Sequence, residues 1–290
     1  MEKTTTLLSH NHLKNKILTT KSGKIKIRKL DKARLSIRIV LFVFIAITIL
    51  TFATMNFGRM TLAEALPQFF TNIRSIFLQP RVSGRVEWIN LIEDVFVTVG
   101  LTIIATILGS IISFFFALLA ARNLSSKFVS QTVRAMMSFI RAIPAVLWVL
   151  VFSLAIGLGS TAAVIGLVFQ GIAFLTKAYS EAIEEIDIGV IEALKAAGAN
   201  WWQIIFQAVF PSCLTAILSW TFIRLEGNFA HAVAVGAAAG AGGIGFQLML
   251  SGNMHFDMHE VGVIIYLLIA VSMIFEFVSI KLRSHLLVKH

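Results

Sequence analysis

Four polar side chains within a strongly apolar stretch are the best candidates for chemistry in this sequence. The stretch SWTFIRLEGNFAHAV contains Arg224, Glu226, Asn228 and His231. An ionisable residue at the centre of a lipid bilayer costs about 2.5–3.5 kcal/mol on insertion scales, so it normally faces other helices or a water-filled path. Arg224, Asn228 and His231 are spaced i, i+4 and i+7, which places them in one stripe along a helix.

Two interpretations of this stripe are open. The guanidinium of Arg224 donates several hydrogen bonds, so the stripe predicts the lining of a path for an anion. The alternative is a buried polar network that only stabilises the helix bundle. Glu226 lies about 200° around the helix from Arg224, so we expect it to contact another helix or water instead. Gln170 and Lys177, in a neighbouring apolar stretch, are weaker candidates for the same path.

A glycine-rich stretch follows the polar stripe. GAGGIG, residues 240–245, matches the G-x-G-x-x-G pattern of dinucleotide-binding proteins. That pattern requires a preceding strand and a βαβ unit, whereas an apolar helix precedes it here. We therefore predict an external loop, flexible or tightly turned, built from Gly240, Gly242, Gly243 and Gly245. Its backbone N–H groups are candidates for contact with a passing anion.

The common motifs of enzymes are absent. The sequence has no H-E-x-x-H, C-x-x-C or G-x-S-x-G, so we predict no catalytic residue. His255 and His259 are four residues apart with Asp257 between them, but no third ligand is in register, so we predict no metal site. Without G-x-x-x-x-G-K-[ST], this chain has no P-loop to hold ATP. The single cysteine, Cys213, is expected to be a packed small residue.

The composition indicates a protein that is surrounded by lipid. Hydrophobic residues make up 57% of the 290 residues and charged residues 14%, whereas soluble domains contain about 25% charged residues. Backbone polar groups must be paired inside lipid, so the apolar stretches are predicted to be α-helices. The predicted fold class is an all-α membrane protein with about six transmembrane helices, at 37–57, 94–120, 136–158, 160–178, 212–234 and 261–281.

Two further features refine this prediction. The third span is expected to be kinked, or to begin, near Pro144. An amphipathic helix at the outer surface is expected near residues 61–77, within the first external loop. The spans define one membrane domain, residues 37–290, preceded by a basic tail, residues 1–36.

The distribution of basic residues predicts the orientation in the membrane. Residues 1–38 contain eleven Lys or Arg, whereas residues 235–260 contain none. Cytoplasmic loops are enriched in Lys and Arg, so we predict that both termini and residues 178–211 are cytoplasmic. The basic tail is expected to contact anionic lipid headgroups and not nucleic acid. The external loop 58–93 fits this orientation less well, because it contains four arginines.

The stretch EALKAAGANWWQIIFQAVFP, residues 192–211, is too polar to span the membrane. It predicts two short helices, of which Gly198 ends the first in the left-handed conformation. Pro211 is expected to break the second helix before the fifth span. Trp201 and Trp202 are expected to be exposed and to dock into a groove of a partner, although an ordinary loop has a similar composition.

An acidic segment precedes this stretch. We expect it to continue the helix of the fourth span without interruption into the first short helix. Its acidic residues are Glu181, Glu184, Glu185 and Glu192.

Residues 192–211 resemble the EAA loop of ABC importer permeases. Glu192, Ala193, Gly198 and Pro211 occupy the expected positions, whereas Leu194 replaces the second alanine, and Ala208 and Phe210 replace the expected isoleucine and leucine. The resemblance to the phosphonate-type branch covers roughly residues 90–282. Its landmarks occur in the same order: RAIPAVLW at 141–148, YSEAIEEID at 179–187, RLEGN at 224–228 and GAGGIG at 240–245. One departure is that Phe229, Ala230 and His231 follow Asn228, where the branch often has an arginine.

The resemblance implies a type I ABC importer permease fold with cytoplasmic coupling helices. It implies two permease chains, as a homodimer or a heterodimer, two cytoplasmic ATPase subunits and an external substrate-binding protein. ATP and Mg²⁺ would bind the ATPase subunits, so this chain is expected to hold no cofactor and not to be an enzyme. Residues expected to couple it to the ATPase are Glu192, Ala193, Gly198, Trp201 and Trp202.

The expected location is a bacterial inner membrane, and the expected cargo is a phosphonate or a related phosphorus oxyanion. Phosphate, phosphite or another small anion is the alternative cargo. A membrane scaffold without transport activity is the alternative from a different class of protein.

Overall fold

The computed structural model describes residues 32–54 and 62–287, and all regular secondary structure in these two ranges is helical. The α-helices are α1 (Lys32–Thr54), α2 (Leu62–Leu78), α3 (Trp88–Ala120), α4 (Lys127–Ala142), α5 (Ala145–Ile156), α6 (Ser160–Glu184), α7 (Ile188–Ala196), α8 (Trp201–Ile204), α9 (Phe210–Ala239), α10 (Gly243–Met249) and α11 (Met258–Leu287). Two π-helical turns, Ile205–Val209 and Leu250–Met254, follow α8 and α10.

Within the described ranges, five helices are long and apolar enough to cross a membrane. They are Leu35–Thr54, Trp88–Ala120, Ser160–Glu184, Trp201–Ala239 and Met258–Ser284. The pair α4 and α5 provides a sixth crossing if the two together form one span. The predicted all-α membrane fold is therefore confirmed, and the five or six candidate spans agree with the prediction of about six. Most of these helices extend beyond their predicted ends.

The third span is bent far more strongly than a kink. Helices α4 and α5 meet at 89° across a break at residues 143–144. Pro144 begins α5 at φ −56°, and Ile143 before it is extended. The ring of a proline disfavours the helical conformation in the preceding residue, which explains why the helix stops at that point. The predicted position of the break is correct, but the first of the two helices begins at Lys127 and not at 136.

The prediction that Pro211 breaks a helix is wrong. The chain is helical from Trp201 to Ala239, and Pro211 lies in the first turn of α9. The π-helical turn Ile205–Val209 directly precedes it, and the N–H of Phe210 donates to the carbonyl of Ile205. A π turn shifts each donor by one residue, which accommodates a position where proline provides no N–H.

The chain divides into two compact units, residues 1–66 and 67–290. In the first unit, the described side chains of α1, residues 35–54, are all exposed and are mostly apolar, as expected of a lipid-facing helix. In the second unit, α6 is central and contacts α3, α4, α5 and α9. Most of the predicted basic tail, residues 1–36, lies outside the described residues.

The predicted amphipathic helix near residues 61–77 is confirmed as α2. Its last turn lies against α11, where the Tyr266 hydroxyl donates to the carbonyl of Phe77 at 2.7 Å. A Cβ on Gly262 would lie 2.2 Å from the carbonyl oxygen of Ile76, so only glycine permits this approach.

Candidate functional site

The polar stripe predicted for the fifth span lies on α9 and faces inward. Arg224 is 5% exposed, Asn228 is fully buried and His231 is half-buried. The predicted single helical face is therefore confirmed for Arg224 and Asn228, the two members of the stripe that are buried. His231 makes no hydrogen bond within the part of the chain that the structure describes.

Arg224 is held against α6 by neutral groups. Its guanidinium donates to the side-chain oxygen of Gln170, and it lies 5.3 Å from the ring centroid of Phe174. The Nε of Arg224 is buried and has no hydrogen-bond partner among the described residues. No acid within those residues forms an ion pair with the guanidinium. Gln170, a weaker candidate from sequence, is thus the direct partner of Arg224.

The face of α3 opposite the stripe carries a ladder of threonines that sequence reasoning missed. Thr98, Thr102 and Thr106 are buried, and each hydroxyl donates to the backbone carbonyl four residues earlier. The amide of Asn228 donates to the hydroxyl of Thr106 at 2.9 Å. The spacing i, i+4 and i+8 was a visible signal, but threonines with such backbone bonds are ordinary in apolar helices.

Glu226 lies apart from Arg224, as its angular position predicted. It is half-buried, and it forms no hydrogen bond or ion pair within the described ranges. Lys177 is also not part of the stripe. Its amine lies 3.7 Å from Glu181 on the exposed side of α6.

The glycine segment after α9 is tightly turned. Gly240, Gly242 and Gly243 have φ of 59°, 79° and 71°, which side chains disfavour. Gly243 and Gly245 are buried, and the N–H of Ile244 donates to the Thr98 hydroxyl at 3.0 Å. The N–H of Ile244 is therefore not free to contact a passing anion, because this part of the segment packs on α3.

Gly245 is required by a close approach of two helices. A Cβ at this position would lie 2.0 Å from the carbonyl oxygen of Val233. We expect Gly245→Ala to lower the thermal midpoint of unfolding by separating α10 from α9. Gly227→Ala is the matched control, because its Cβ would meet nothing within 4 Å, and it should keep or raise the midpoint. Equal midpoints for the two variants would contradict the close packing.

The acidic segment predicted as one continuous helix is interrupted. Helix α6 ends at Glu184, and α7 begins at Ile188 after Asp187 accepts a hydrogen bond from the N–H of Gly189. An aspartate at this position satisfies a free N–H at a helix start and so favours a new helix. Glu192 consequently lies on a different helix from Glu181 and Glu184.

Gly198 ends α7 as predicted. Its φ is 83°, its N–H donates to the carbonyl of Lys195, and the N–H of Ala199 donates to that of Leu194, both at 3.0 Å. These two bonds form a Schellman motif, which requires the left-handed conformation. Asn200 then caps α8 by exchanging hydrogen bonds with Gln203.

The two tryptophans of α8 have different environments. Trp202 is 52% exposed, as predicted. Trp201 is partly buried, and its indole N–H donates to the carbonyl of Leu124 at 3.2 Å, so the expectation that it is exposed is wrong. Glu192 and Ala193 are exposed on α7. Of the residues predicted to couple the chain to an ATPase, Glu192, Ala193, Gly198 and Trp202 are thus exposed.

Helices α7 and α8 are attached to the membrane helices through one apolar cluster. The side chains of Ile191 and Ile204 are buried in it, and Cys213 is packed there as expected. The same cluster contains residues of α3 and α6, among them Leu118, Leu175, Tyr179 and Ile183. This cluster therefore packs α7 and α8 against α3, α6 and the start of α9.

A buried carboxylate that the sequence did not indicate lies at the start of α11. Glu260 is 1% exposed and accepts hydrogen bonds from Ser83, Ser251 and, at 3.0 Å, Gln247. An acid in the first turn of an apolar helix usually indicates an exposed position, so the sequence pattern did not predict its burial. Glu260 ties the segment before α3 to α10 and α11.

The side chain of His259, next to Glu260, contacts the backbone. Nδ1 of His259 lies 2.6 Å from the carbonyl oxygen of Gln79, and Asp257 accepts from the N–H groups of His259 and Glu260. Across the described residues, no group of three or more His, Cys, Asp or Glu is arranged to hold a metal ion.

Comparisons with known proteins agree with this architecture. Residues 113–283 match the family model described as "Binding-protein-dependent transport system inner membrane component". The methionine ABC transporter MetNI, solved in inward-facing conformations, contains a chain that superposes with a TM-score of 0.64 at 23% identity. The superposition covers 71% of this chain and 99% of that one, and it shows the type I importer permease fold.

Two curated relatives are similar in sequence. The phosphite transport system permease protein PtxC of Stutzerimonas stutzeri is 30% identical over 226 residues, which cover 78% of this chain and 80% of that protein. The phosphate-import permease protein PhnE of Mycolicibacterium smegmatis is 33% identical over 191 residues, which cover 65% of this chain but only 35% of that protein. The chain therefore belongs to the family of binding-protein-dependent transport system inner membrane components, the permeases of ABC importers.

Proposed function

We propose that this permease imports a phosphorus oxyanion, with phosphonates as the first candidates and phosphate or phosphite as alternatives. The observation that carries the proposal is the buried guanidinium of Arg224, which contacts Gln170 but no acid in the described part of the chain. A buried cation without a counter-charge favours an anionic ligand. The names of PtxC and PhnE, with phosphite and phosphate as cargo, support the same class of substrate.

The neutral surroundings of Arg224 suit transport better than tight binding. Arginine presents forked donors that match phosphate-like oxygens. The unpartnered Nε of Arg224 and the amide of Asn228 lie on one face of α9. A single cation with neutral neighbours attracts the anion without holding it so firmly that it cannot leave.

The energy for transport would come from partner subunits. In the proposed assembly, two ATPase subunits bind ATP and Mg²⁺, two permease chains form the path, and an external binding protein delivers the substrate. Glu192, Ala193, Gly198, Trp202 and the partly buried Trp201 would couple the permease to the ATPase. This chain itself is proposed to hold no cofactor and to catalyse no reaction.

The proposed orientation places both termini and residues 178–211 in the cytoplasm of a bacterium. In a Cys213→Ser background, a membrane-impermeant thiol reagent added to sealed right-side-out vesicles should label Asn253→Cys but not Lys195→Cys. Both positions are exposed, and Cys213 is buried, so accessibility to the reagent depends on the side of the membrane. Labelling of Lys195→Cys in intact vesicles would contradict the orientation.

Uptake by cells tests the substrate class. In a host without its other phosphate permeases, deleting this chain should abolish uptake of labelled methylphosphonate, phosphite or phosphate, each supplied as the sole phosphorus source. Wild-type protein should restore uptake of at least one of them. Unchanged uptake of all three after deletion would contradict the proposal and favour a scaffold without transport activity.

A further inference from the structure

A cavity of about 290 Å³ lies between α4 and α6, away from the Arg224 stripe. Both helices contribute polar residues to its lining. Three lining residues of α4 are spaced i, i+4 and i+7, so they share one face of that helix. The polar lining residues are Arg134, Ser138 and Arg141 from α4, and Thr176, Lys177 and Ser180 from α6.

The three cations of this cavity are not equally neutralised. Arg134 forms an ion pair with Glu184 at 2.5 Å and donates through Nε to the carbonyl of Ala120 at 2.9 Å. Lys177 has only a loose contact, 3.7 Å, with Glu181. Arg141 forms no ion pair or hydrogen bond within the described residues, although it is half-buried. The cavity therefore keeps an excess of positive charge.

A buried hydroxyl without a partner adds an independent sign of a ligand. Thr176 lines the cavity and is 1% exposed, and its hydroxyl has no hydrogen-bond partner among the described residues. Thr102 and Thr106 on α3 show the usual alternative, since each donates to a carbonyl one turn earlier. Buried hydroxyls are normally hydrogen-bonded, so the Thr176 hydroxyl is an unpaired donor beside the cavity.

We propose that this cavity binds a tetrahedral oxyanion of the phosphate class, as a free anion or as the headgroup of a phospholipid. Arg141 and Lys177 would supply the charge, and the hydroxyls of Thr176 and Ser138 would donate to its oxygens. Arginine and hydroxyl groups together match the several oxygens of such an anion. Nothing in this site requires Arg224, so the inference goes beyond the proposed function.

The position of the cavity can be given along α6. Lys177 follows Gln170 by seven residues on α6, which places it on nearly the same face and roughly 10 Å further along the helix. Glu184, at the end of α6 nearest α7, pairs with Arg134. Along α6, the site therefore lies between Gln170, the partner of Arg224, and the end of the helix nearest α7.

Binding of inorganic phosphate to the purified full chain tests the proposal. The ATPase subunits are left out, because they would bind phosphate themselves. Calorimetric titration should show an affinity that falls about tenfold in Arg141→Gln and in Thr176→Val, as expected for loss of one charge-assisted hydrogen bond. Arg122→Gln is the matched control, because its side chain is exposed and does not line the cavity.

Thr176→Val keeps the test decisive if Arg141→Gln folds poorly. The valine conserves volume and removes an unpartnered buried hydroxyl, so the phosphate-free variant should unfold at the same temperature as wild type or higher. Phosphate should then raise the midpoint of wild type more than that of Thr176→Val. Equal phosphate affinity in wild type and both variants, with no effect of lipid, would overturn the proposal.

Nanodiscs of two lipid compositions distinguish a free anion from a phospholipid headgroup as the ligand. For a free anion, phosphate binding that depends on Arg141 should be the same in discs of phosphatidylcholine and in discs that also contain phosphatidylglycerol. For a headgroup, phosphatidylglycerol should compete with phosphate, and native mass spectrometry should show a retained phospholipid in wild type but not in Arg141→Gln. Either pattern supports the site, and the absence of both contradicts it.

Discussion

Arg224→Ala is expected to lower substrate uptake about tenfold to a hundredfold, because it removes charge-assisted hydrogen bonds to the anion. Arg224→Lys should restore uptake only in part, since lysine keeps the charge but not the forked donors. Uptake of labelled substrate into vesicles containing the whole transporter measures both effects. The amount of assembled transporter is quantified in the same vesicles.

The structure makes an intact assembly the expected outcome for Arg224→Ala. Removing one partner of a buried ion pair leaves an unpaired charge and strongly destabilises a protein. The partner of Arg224 is the neutral Gln170, and Glu226 makes no ion pair with it. If the assembled transporter disappears in step with uptake, Arg224 belongs to the scaffold of the bundle and not to the path.

Gly198→Val is expected to uncouple transport from ATP hydrolysis while the chain remains inserted. A β-branched residue at φ 83° is strained by about 1–3 kcal/mol, which should unwind the Schellman motif between α7 and α8. We expect uptake to fall at least about tenfold, the change that corresponds to 1.4 kcal/mol. Stimulation of ATP hydrolysis by the loaded binding protein should be lost in the same variant.

Two further variants distinguish backbone strain at Gly198 from contact between the surface of α7 and the ATPase. Gly84→Val is the matched control, because Gly84 is exposed, has an ordinary φ, and a Cβ added to it would meet nothing within 4 Å. It should transport normally. Glu192→Lys changes an exposed charge on α7 without strain, so it should be folded but uncoupled if the ATPase receives this carboxylate. Normal stimulated uptake in both Gly198→Val and Glu192→Lys would refute the coupling role.

Periodicity in the sequence was sufficient to predict part of the site. Arg224 and Asn228 are polar residues in an apolar helix at a spacing of four, and this pattern alone places them on one inward face. The turn at Gly198 was predictable for the same kind of reason, since a glycine after a strong helix former ends a helix locally. Both features depend on residues that are close in sequence.

The features that sequence did not predict depend on distant contacts. Trp201 is partly buried because its indole meets Leu124, which lies 77 residues earlier in the chain. The burial of Glu260 depends on Ser83, which is 177 residues away. The cavity between α4 and α6 arises from the packing of two helices whose basic residues, taken alone, indicated only orientation.

The sequence predicted where a helix would be irregular, but not whether the helix ends there or continues through a π-helical turn. Pro144 and Pro211 are both signals for a break, yet only the first one ends a helix. At Pro211 a π-helical turn, stabilised by the buried side chains of Ile205 and Val209, keeps the helix continuous. Tertiary packing decides between these outcomes, and a proline rule contains no information about it.

ATP-driven uptake by the purified transporter tests the central claim most directly. The permease, its ATPase subunits and the loaded binding protein are reconstituted in liposomes, with ATP on the side of the ATPase. Labelled methylphosphonate, phosphite and phosphate are compared with methionine, the cargo named for the structurally similar MetNI. We predict ATP-dependent accumulation of at least one phosphorus oxyanion and none of methionine. Accumulation of methionine, or of no phosphorus oxyanion, would contradict the account.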